Sequence, residues 1–120
     1  MSQLVRIEDV IARRQQLAGA YDRALANVPE IIRPPLSSTV GRISWFVYPV
    51  QLAPEFDATD RQFISESLQK RGIQTGRYFA PLHRQPVLSA CAVENARAQG
   101  DLRNSEFVAD RVIALPFSTN

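Results

Sequence analysis

The chain has 120 residues, 45% of them hydrophobic and 22% charged, with a net charge of +2. That is one domain's worth of chain with enough apolar residues for a core, and no apolar run approaches the roughly 20 residues of a bilayer-spanning helix. The positive charge is mild and arginine-rich, with Lys70 the sole lysine, and it is interleaved with Asp and Glu along the chain. This argues against the single basic stripe of a nucleic-acid binder.

Residues 3–28 read as one long helix. Leu4, Ile7, Ile11, Leu17, Tyr21, Leu25 and Val28 recur mostly at spacings of three and four, with Arg14 interrupting the stripe. The stripe is too short for a sustained heptad seam, so packing on its own or a neighbouring domain is expected rather than a coiled coil. The charged residues of this segment (Arg6, Glu8, Asp9, Arg13, Arg14) do not suit a signal peptide. Pro29, Pro34 and Pro35 are expected to end the helix. Glu30–Arg33 is a candidate short strand, and residues 36–42 read as a turn. Residues 43–52 are rich in β-branched and aromatic side chains and read as a strand, with Pro49 suggesting an edge position or a bulge. A helix follows over 60–71, with Thr59 and Gln62 as a capping box, Phe63, Ile64 and Leu68 facing inward, and Gly72 just past its end. Residues 73–79 read as a second strand. Pro81 and Pro86 bracket a loop holding His83, residues 87–100 read as irregular or partly helical, and 105–114 reads as a last helix capped by Asn104 or Ser105, with Val108, Val112 and Ile113 inward. The expected architecture is α+β: a two- to three-stranded sheet with helices packed on one face.

The chemistry available is narrow. One histidine and one cysteine cannot supply a metal site of the usual ligand number. Cys91, in the run Ser89-Ala90-Cys91-Ala92-Val93, reads as a small buried hydrophobe. As the only cysteine it excludes an internal disulfide and suits a reducing, cytoplasmic compartment. The scattered glycines form no phosphate-cradling loop. What stands out is the run Arg77, Tyr78, Phe79, His83, Arg84, Gln85 at a strand end and its loop. Aromatic faces can cover a sugar or base and arginine forks can hold phosphate, so this composition suits the rim of a sugar-nucleotide pocket. The competing reading is a solvent-facing or structural histidine in a proline-bounded loop, with Phe79 and Leu82 as anchors and His83 satisfying a backbone carbonyl.

The segment Gly72-Ile73-Gln74-Thr75-Gly76-Arg77-Tyr78-Phe79-Ala80-Pro81-Leu82-His83-Arg84-Gln85-Pro86 resembles the signature near the C-terminus of the DegT/DnrJ/StrS aminotransferases: Gly-Ile, a polar pair, an aromatic or His-Tyr step, Pro, Leu or Ile, His, any residue, Gln, Pro. Residues 3–14 with Tyr21-Asp22 are similar to that family's helix leading into its small domain. Trp45 to Leu52 is similar to the first small-domain strand, Asp60 to Gly72 to the helix before the signature, and Phe107 to Phe117 to the next helix and its Leu-Pro exit. Val87 and Leu88 stand where an aromatic usually follows Gln-Pro, and Ala80 replaces a common proline.

The resemblance implies the small C-terminal domain of a fold-type-I, pyridoxal-phosphate-dependent enzyme that moves an amino group onto a keto sugar carried on a nucleotide. Residues 1–28 would be the helix leading into that domain and 29–120 the domain itself, truncated at its C-terminal end. Such enzymes usually work as homodimers, with a large domain that holds the cofactor lysine, the aspartate under the pyridine nitrogen and the phosphate cup. Tyr78, Phe79, His83, Gln85 and Arg77 are then the expected substrate-binding residues. No catalytic, cofactor-binding or metal residue is expected in this chain, and no membrane or nucleic-acid partner. Lys70, closing an amphipathic helix, reads as a surface cation that complements the helix dipole. A stand-alone binding or assembly module that kept the small-domain fold is the alternative.

Overall fold

A computed structural model describes residues 6–37, 41–77, 80–86 and 102–118. Residues 3–5, Tyr78, Phe79 and the whole of 87–100, Cys91 included, lie outside the described residues. The described elements run α1 (Ile7–Ala24), β1 (Ile31–Ile32), β2 (Tyr48–Leu52), α2 (Ala58–Lys70), a 3-10 turn (Leu82–Arg84), α3 (Arg103–Ala109) and β3 (Val112–Leu115).

Helix α1 ends at Ala24, earlier than its apolar stripe suggests, and residues 25–27 turn. Pro29 has no N–H to continue the ladder, and its ring bars Val28 from helical backbone. The chain therefore leaves the helix a turn ahead of it. Ala18 is fully buried, Tyr21 and Leu25 pack on the same cluster, and Ile11 and Leu17 are half-buried. Arg14, which breaks the stripe, lies on the same side and donates from Nη1 to the Trp45 carbonyl at 3.2 Å. One guanidinium thus satisfies a backbone acceptor of the chain packed on the helix.

The strands form an antiparallel sheet in the order β1-β2-β3. The ladder of β2 is half the length expected from residues 43–52. Its partners explain this: β1 offers two residues and β3 four, and Pro116 cannot extend β3. Trp45 instead packs its ring against Tyr48, with centroids 5.7 Å apart. Pro49 sits in the central strand rather than at an edge, and the register shows how. It faces Ala114 of β3, whose N–H and C=O both bond Gly76 on β3's far side. Pro49 and Ala114 are therefore a non-hydrogen-bonded pair, and the missing Pro49 N–H faces the side where β1, paired only with Leu52 and Gln51, has already ended.

The segment expected as a last helix, 105–114, divides in two. Helix α3 covers Arg103–Ala109, with Leu102 ahead of it and no side-chain cap, so neither Asn104 nor Ser105 caps it. Val112-Ile113-Ala114-Leu115 is then a strand. A run containing two β-branched residues carries strand preference, and β2 offers a paired edge; the spacing of Val108 and Val112 merely imitates a helical face. The second expected strand, 73–79, reduces among the described residues to one bridge, Gly76 to Ala114. Ile73 is 40% exposed, so its side chain does not hold the described part of that segment to the sheet.

The core forms on the Tyr48, Val50 and Leu52 face of β2, with Ile113 opposite Val50, Trp45, and Ala18 from α1. Tyr21 stacks on Tyr48 at 5.1 Å, and its hydroxyl donates to the Pro116 carbonyl at 2.7 Å. From α2, Ile64 packs on this cluster. Phe63, expected inward, is 70% exposed, and Arg61 is buried in its stead.

Helix α2 begins with a capping box built by Asp57 and Asp60, not by Thr59 and Gln62. The Asp57 carboxylate accepts from the Thr59 and Asp60 N–H groups at 2.7 and 3.1 Å, and Asp60 accepts from the Asp57 N–H at 2.9 Å. Those backbone donors, Asp60's first and then Thr59's, hold the Asp57 carboxyl below its ordinary value. Its contribution to stability is present above the ordinary carboxylate range and lost as pH falls through the lowered value. Asp57→Ala should lower the melting temperature by a few degrees at neutral pH while Asp57→Ser, another good cap, retains most of it; thermal denaturation checks this, and equal losses for both variants would deny the cap its role. Gly72 closes the helix in left-handed backbone, φ +79°, letting the Ile73 N–H reach the Leu68 carbonyl at 3.0 Å.

Candidate functional site

The run after α2 is shaped first by backbone. Gly76 exchanges both its bonds with Ala114, at 2.8 and 3.0 Å, and a Cβ there would lie 3.4 Å from the Ala114 Cβ. A side chain at 76 would crowd that crossing. The next residue, Arg77, is exposed.

Beyond it Pro81 opens a 3-10 turn. The Arg84 N–H bonds the Pro81 carbonyl, the Gln85 N–H bonds the Leu82 carbonyl, and the Gln85 side-chain amide reaches back to the Ala80 carbonyl at 3.3 Å. The turn thereby presents His83 and Arg84 to α3. His83 Nε2 lies 3.0 Å from Glu106 Oε1, Arg84 Nε lies 3.4 Å from the same oxygen, and Arg84 Nη1 lies 2.9 Å from Asp110 Oδ1. The hydrogen bond from His83 above all, joined by the charges of Arg84 and His83, holds the Glu106 carboxyl below its ordinary value against the opposing effect of burial. Its share of this tie is present above the ordinary carboxylate range and lost as pH falls through the lowered value. Asp110, through its hydrogen bond above all, pushes the Arg84 guanidinium up.

His83 is thus held by a carboxylate, not by the backbone carbonyl that the structural reading assigned to it. Leu82 does not anchor the turn, being 76% exposed. Gln85 is half-buried and serves the turn itself.

A second feature lies on the other side of Gly76. A polar depression of about 590 Å³ is walled by Arg61, Gln62, Ser65 and Gln69 of α2, by residues 74–77 and by Val112. Arg77 belongs to this wall, whereas His83 and Gln85 do not line it. The structure therefore separates the expected site residues: His83 and Gln85 share the turn, Arg77 faces the depression, and Tyr78 and Phe79 lie outside the described residues.

Arg61 is a residue the sequence reading passed over. It is 7% exposed, and its Nη1 makes one long bond to the Ala109 carbonyl, 3.4 Å. Its Nε is buried without a partner among the described residues. Burial first, and then the nearby charge of Arg77, push its pKa down, with Asp110 opposing. Positions 61, 64 and 68 share a helix face, so the spacing itself held the signal that Arg61 points inward with Ile64.

Among the described residues, no group of three or more His, Cys, Asp or Glu side chains is placed to hold a metal ion. None of the described helices is long and apolar enough to cross a membrane.

Comparison with known proteins adds the remaining findings. The sequence pattern of the DegT/DnrJ/EryC1/StrS aminotransferase family matches residues 1–120. Over 114 residues the chain is 33% identical to a dTDP-4-dehydro-2,3,6-trideoxy-D-glucose 4-aminotransferase of Saccharopolyspora spinosa, covering 95% of this chain and 26% of that protein. It is 27% identical over 125 residues to a GDP-perosamine synthase of Caulobacter vibrioides, covering 95% of this chain and 33% of that one. Among solved structures, the aminotransferase TlmJ of Streptoalloteichus hindustanus superposes with a TM-score of 0.78 at 27% identity, over 96% of this chain and 28% of its own. The chain spans about a quarter to a third of the length of these relatives.

Proposed function

The chain belongs to the DegT/DnrJ/EryC1/StrS aminotransferase family, and from that membership we propose that it is the small-domain portion of a pyridoxal-phosphate enzyme that aminates keto sugars carried on a nucleotide. The observation that carries the reading is the match of family pattern and small-domain fold along nearly the whole chain, together with relatives named for dTDP- and GDP-linked sugar chemistry. Residues 1–28 lead into the domain and 29–120 form it. A large cofactor-binding domain would complete the enzyme, and pairing of two such enzymes follows the family habit.

Within it, the segment 77–85 forms part of the substrate wall. Tyr78 and His83 can each donate or accept a hydrogen bond, Gln85 can do both, Phe79 can cover a ring, and Arg77 can meet a phosphate oxygen. The tie of His83 and Arg84 to α3 supports this assignment, because a wall must hold its donors still before the ligand arrives.

The chain's own residues do not fit the cofactor. Pyridoxal phosphate, when bound, acts as an electron sink and is held by a lysine amine in an enclosed site. Lys70, the sole lysine, is exposed in the last turn of α2, where a cation complements the helix dipole. Incubation of the chain with pyridoxal phosphate followed by borohydride should trap no stoichiometric adduct. An adduct of one per chain that disappears in Lys70→Ala would overturn this. The wider reading is tested on the protein in which this segment accompanies a lysine-bearing domain: glutamate and a nucleotide-linked keto sugar should yield an amino sugar detectable by mass spectrometry. Transfer confined to free 2-oxo acids would refute it.

A further inference from the structure

We infer that the depression between α2 and residues 74–77 is an oxyanion-binding site, in which Arg61 and Arg77 take a phosphate or diphosphate group. The inference deepens the proposed function, which already offers Arg77 to a phosphate oxygen, by adding Arg61 to the same group; the charge and geometry of these residues carry it.

Arg61 is 7% exposed as a residue, and its Nε–H is buried with no acceptor among the described residues. A buried cation is costly unless it is paired and its donors are used. Its single described bond, to the Ala109 carbonyl, is at the long limit of such contacts.

The acids nearby do not resolve this. Asp110 lies close enough to favour the charged form of Arg61, but its carboxylate is engaged by Arg84 at 2.9 Å. Glu106 is engaged by His83 and Arg84. Glu66, on α2 itself, accepts from the Gln62 amide at 2.9 Å and does not line the depression.

Across the depression stands a second cation, Arg77, exposed and in no ion pair among the described residues. Two like charges facing one space repel, and the depressed pKa of Arg61 records that repulsion alongside its burial. One oxyanion placed between them would reverse the sign of the interaction for both guanidinium groups. The remaining walls suit a polyoxygen ligand, since Ser65, Gln69 and Thr75 are neutral hydrogen-bonding side chains. Arginine forks match tetrahedral phosphate better than a lysine would.

The test titrates the 120-residue chain with inorganic pyrophosphate, followed by nitrogen-15 NMR. Saturable shifts are expected at the backbone of residues 75–77 and at the Arg61 Nε–H, which reports without altering a buried residue. Arg77→Gln should weaken binding by about tenfold or more with the spectrum otherwise native, the loss of one charge-assisted contact. Arg77→Lys should fall between. A nucleoside diphosphate binding at least as tightly through the same resonances would identify a nucleotide as the source of the group; weaker binding would point to free phosphate or diphosphate. No saturable shift at millimolar pyrophosphate, unchanged affinity in Arg77→Gln, or equal shifts with an unphosphorylated nucleoside would overturn the site. Because no turnover is measured, failure here leaves the aminotransferase reading to its own assay.

Discussion

Tyr48→Ala should abolish cooperative unfolding of the chain at ordinary temperatures, whereas Tyr48→Phe should leave the melting temperature unchanged or raise it. Tyr48 is fully buried at the start of β2, stacked on Tyr21 and tilted against Trp45. Truncating an aromatic in such a place costs about 3–5 kcal/mol through lost burial and the cavity left behind. Small domains have only about 5–15 kcal/mol in total, so most of the margin goes. The hydroxyl is a different matter. It is buried without a partner among the described residues, and burial first, then the charge of Asp22, push its pKa up. An unpartnered buried hydroxyl is a cost to the fold, and Phe removes that cost while keeping the ring. Circular dichroism melts of the two variants decide the point. A loss in Tyr48→Phe comparable to that in Tyr48→Ala would mean that the hydroxyl, not the ring, holds the core.

The contrast between ring and hydroxyl also marks what a sequence can convey. The aromatic, β-branched character of residues 43–52 is enough to place a strand and its buried face. It cannot say that only 48–52 will find partners, because ladder length depends on how long β1 and β3 are. The same dependence misleads at 105–114: a helical spacing of valines is local, while the preference of Val112–Leu115 for a strand is realised only by the neighbouring β2. Pro49 reads as an edge or bulge residue, yet it sits in the central strand, at a position that β1 stops short of. The cap of α2 moves two residues forward because Asp57 and Asp60 form the same reciprocal pattern as Thr59 and Gln62, with a stronger acceptor at each end.

The candidate site divides along similar lines. His83 and Gln85 stand out in sequence because a proline-bounded turn with polar side chains is recognisable, and a fifteen-residue signature surrounds them. Their partners do not stand out: Glu106 lies 23 positions away from His83, and nothing in its local context distinguishes it from a solvated glutamate. Arg61 is harder still. Its spacing with Ile64 and Leu68 places it on the inward face, but an arginine in the first turns of an amphipathic helix normally extends into solvent, and the packing of α2 against β3 is what encloses it.

In the complete enzyme, His83→Ala and Tyr78→Phe should each lower kcat/KM by roughly tenfold or more, about 1.4 kcal/mol of lost transition-state stabilisation. The structure adds a complication and the means to resolve it. Because His83 is tied to Glu106, His83→Ala removes a link between the turn and α3 as well as any group offered to the substrate. Glu106→Gln separates the two. It removes the carboxylate's charge, weakening the tie to His83 and Arg84 alike, yet it leaves the imidazole in place. If His83 meets the substrate, Glu106→Gln should cost stability with a smaller loss of kcat/KM, the imidazole still being present but less firmly oriented. Both variants should lose a similar, modest amount of thermal stability, since the contact they share lies at the surface and such contacts contribute little. Tyr78→Phe tests the wall independently, because it removes only a hydroxyl. If His83→Ala and Glu106→Gln lose equal stability while both, with Tyr78→Phe, keep wild-type kcat/KM, the turn at 80–86 serves to fasten α3 and the substrate assignment of His83 and Tyr78 is wrong.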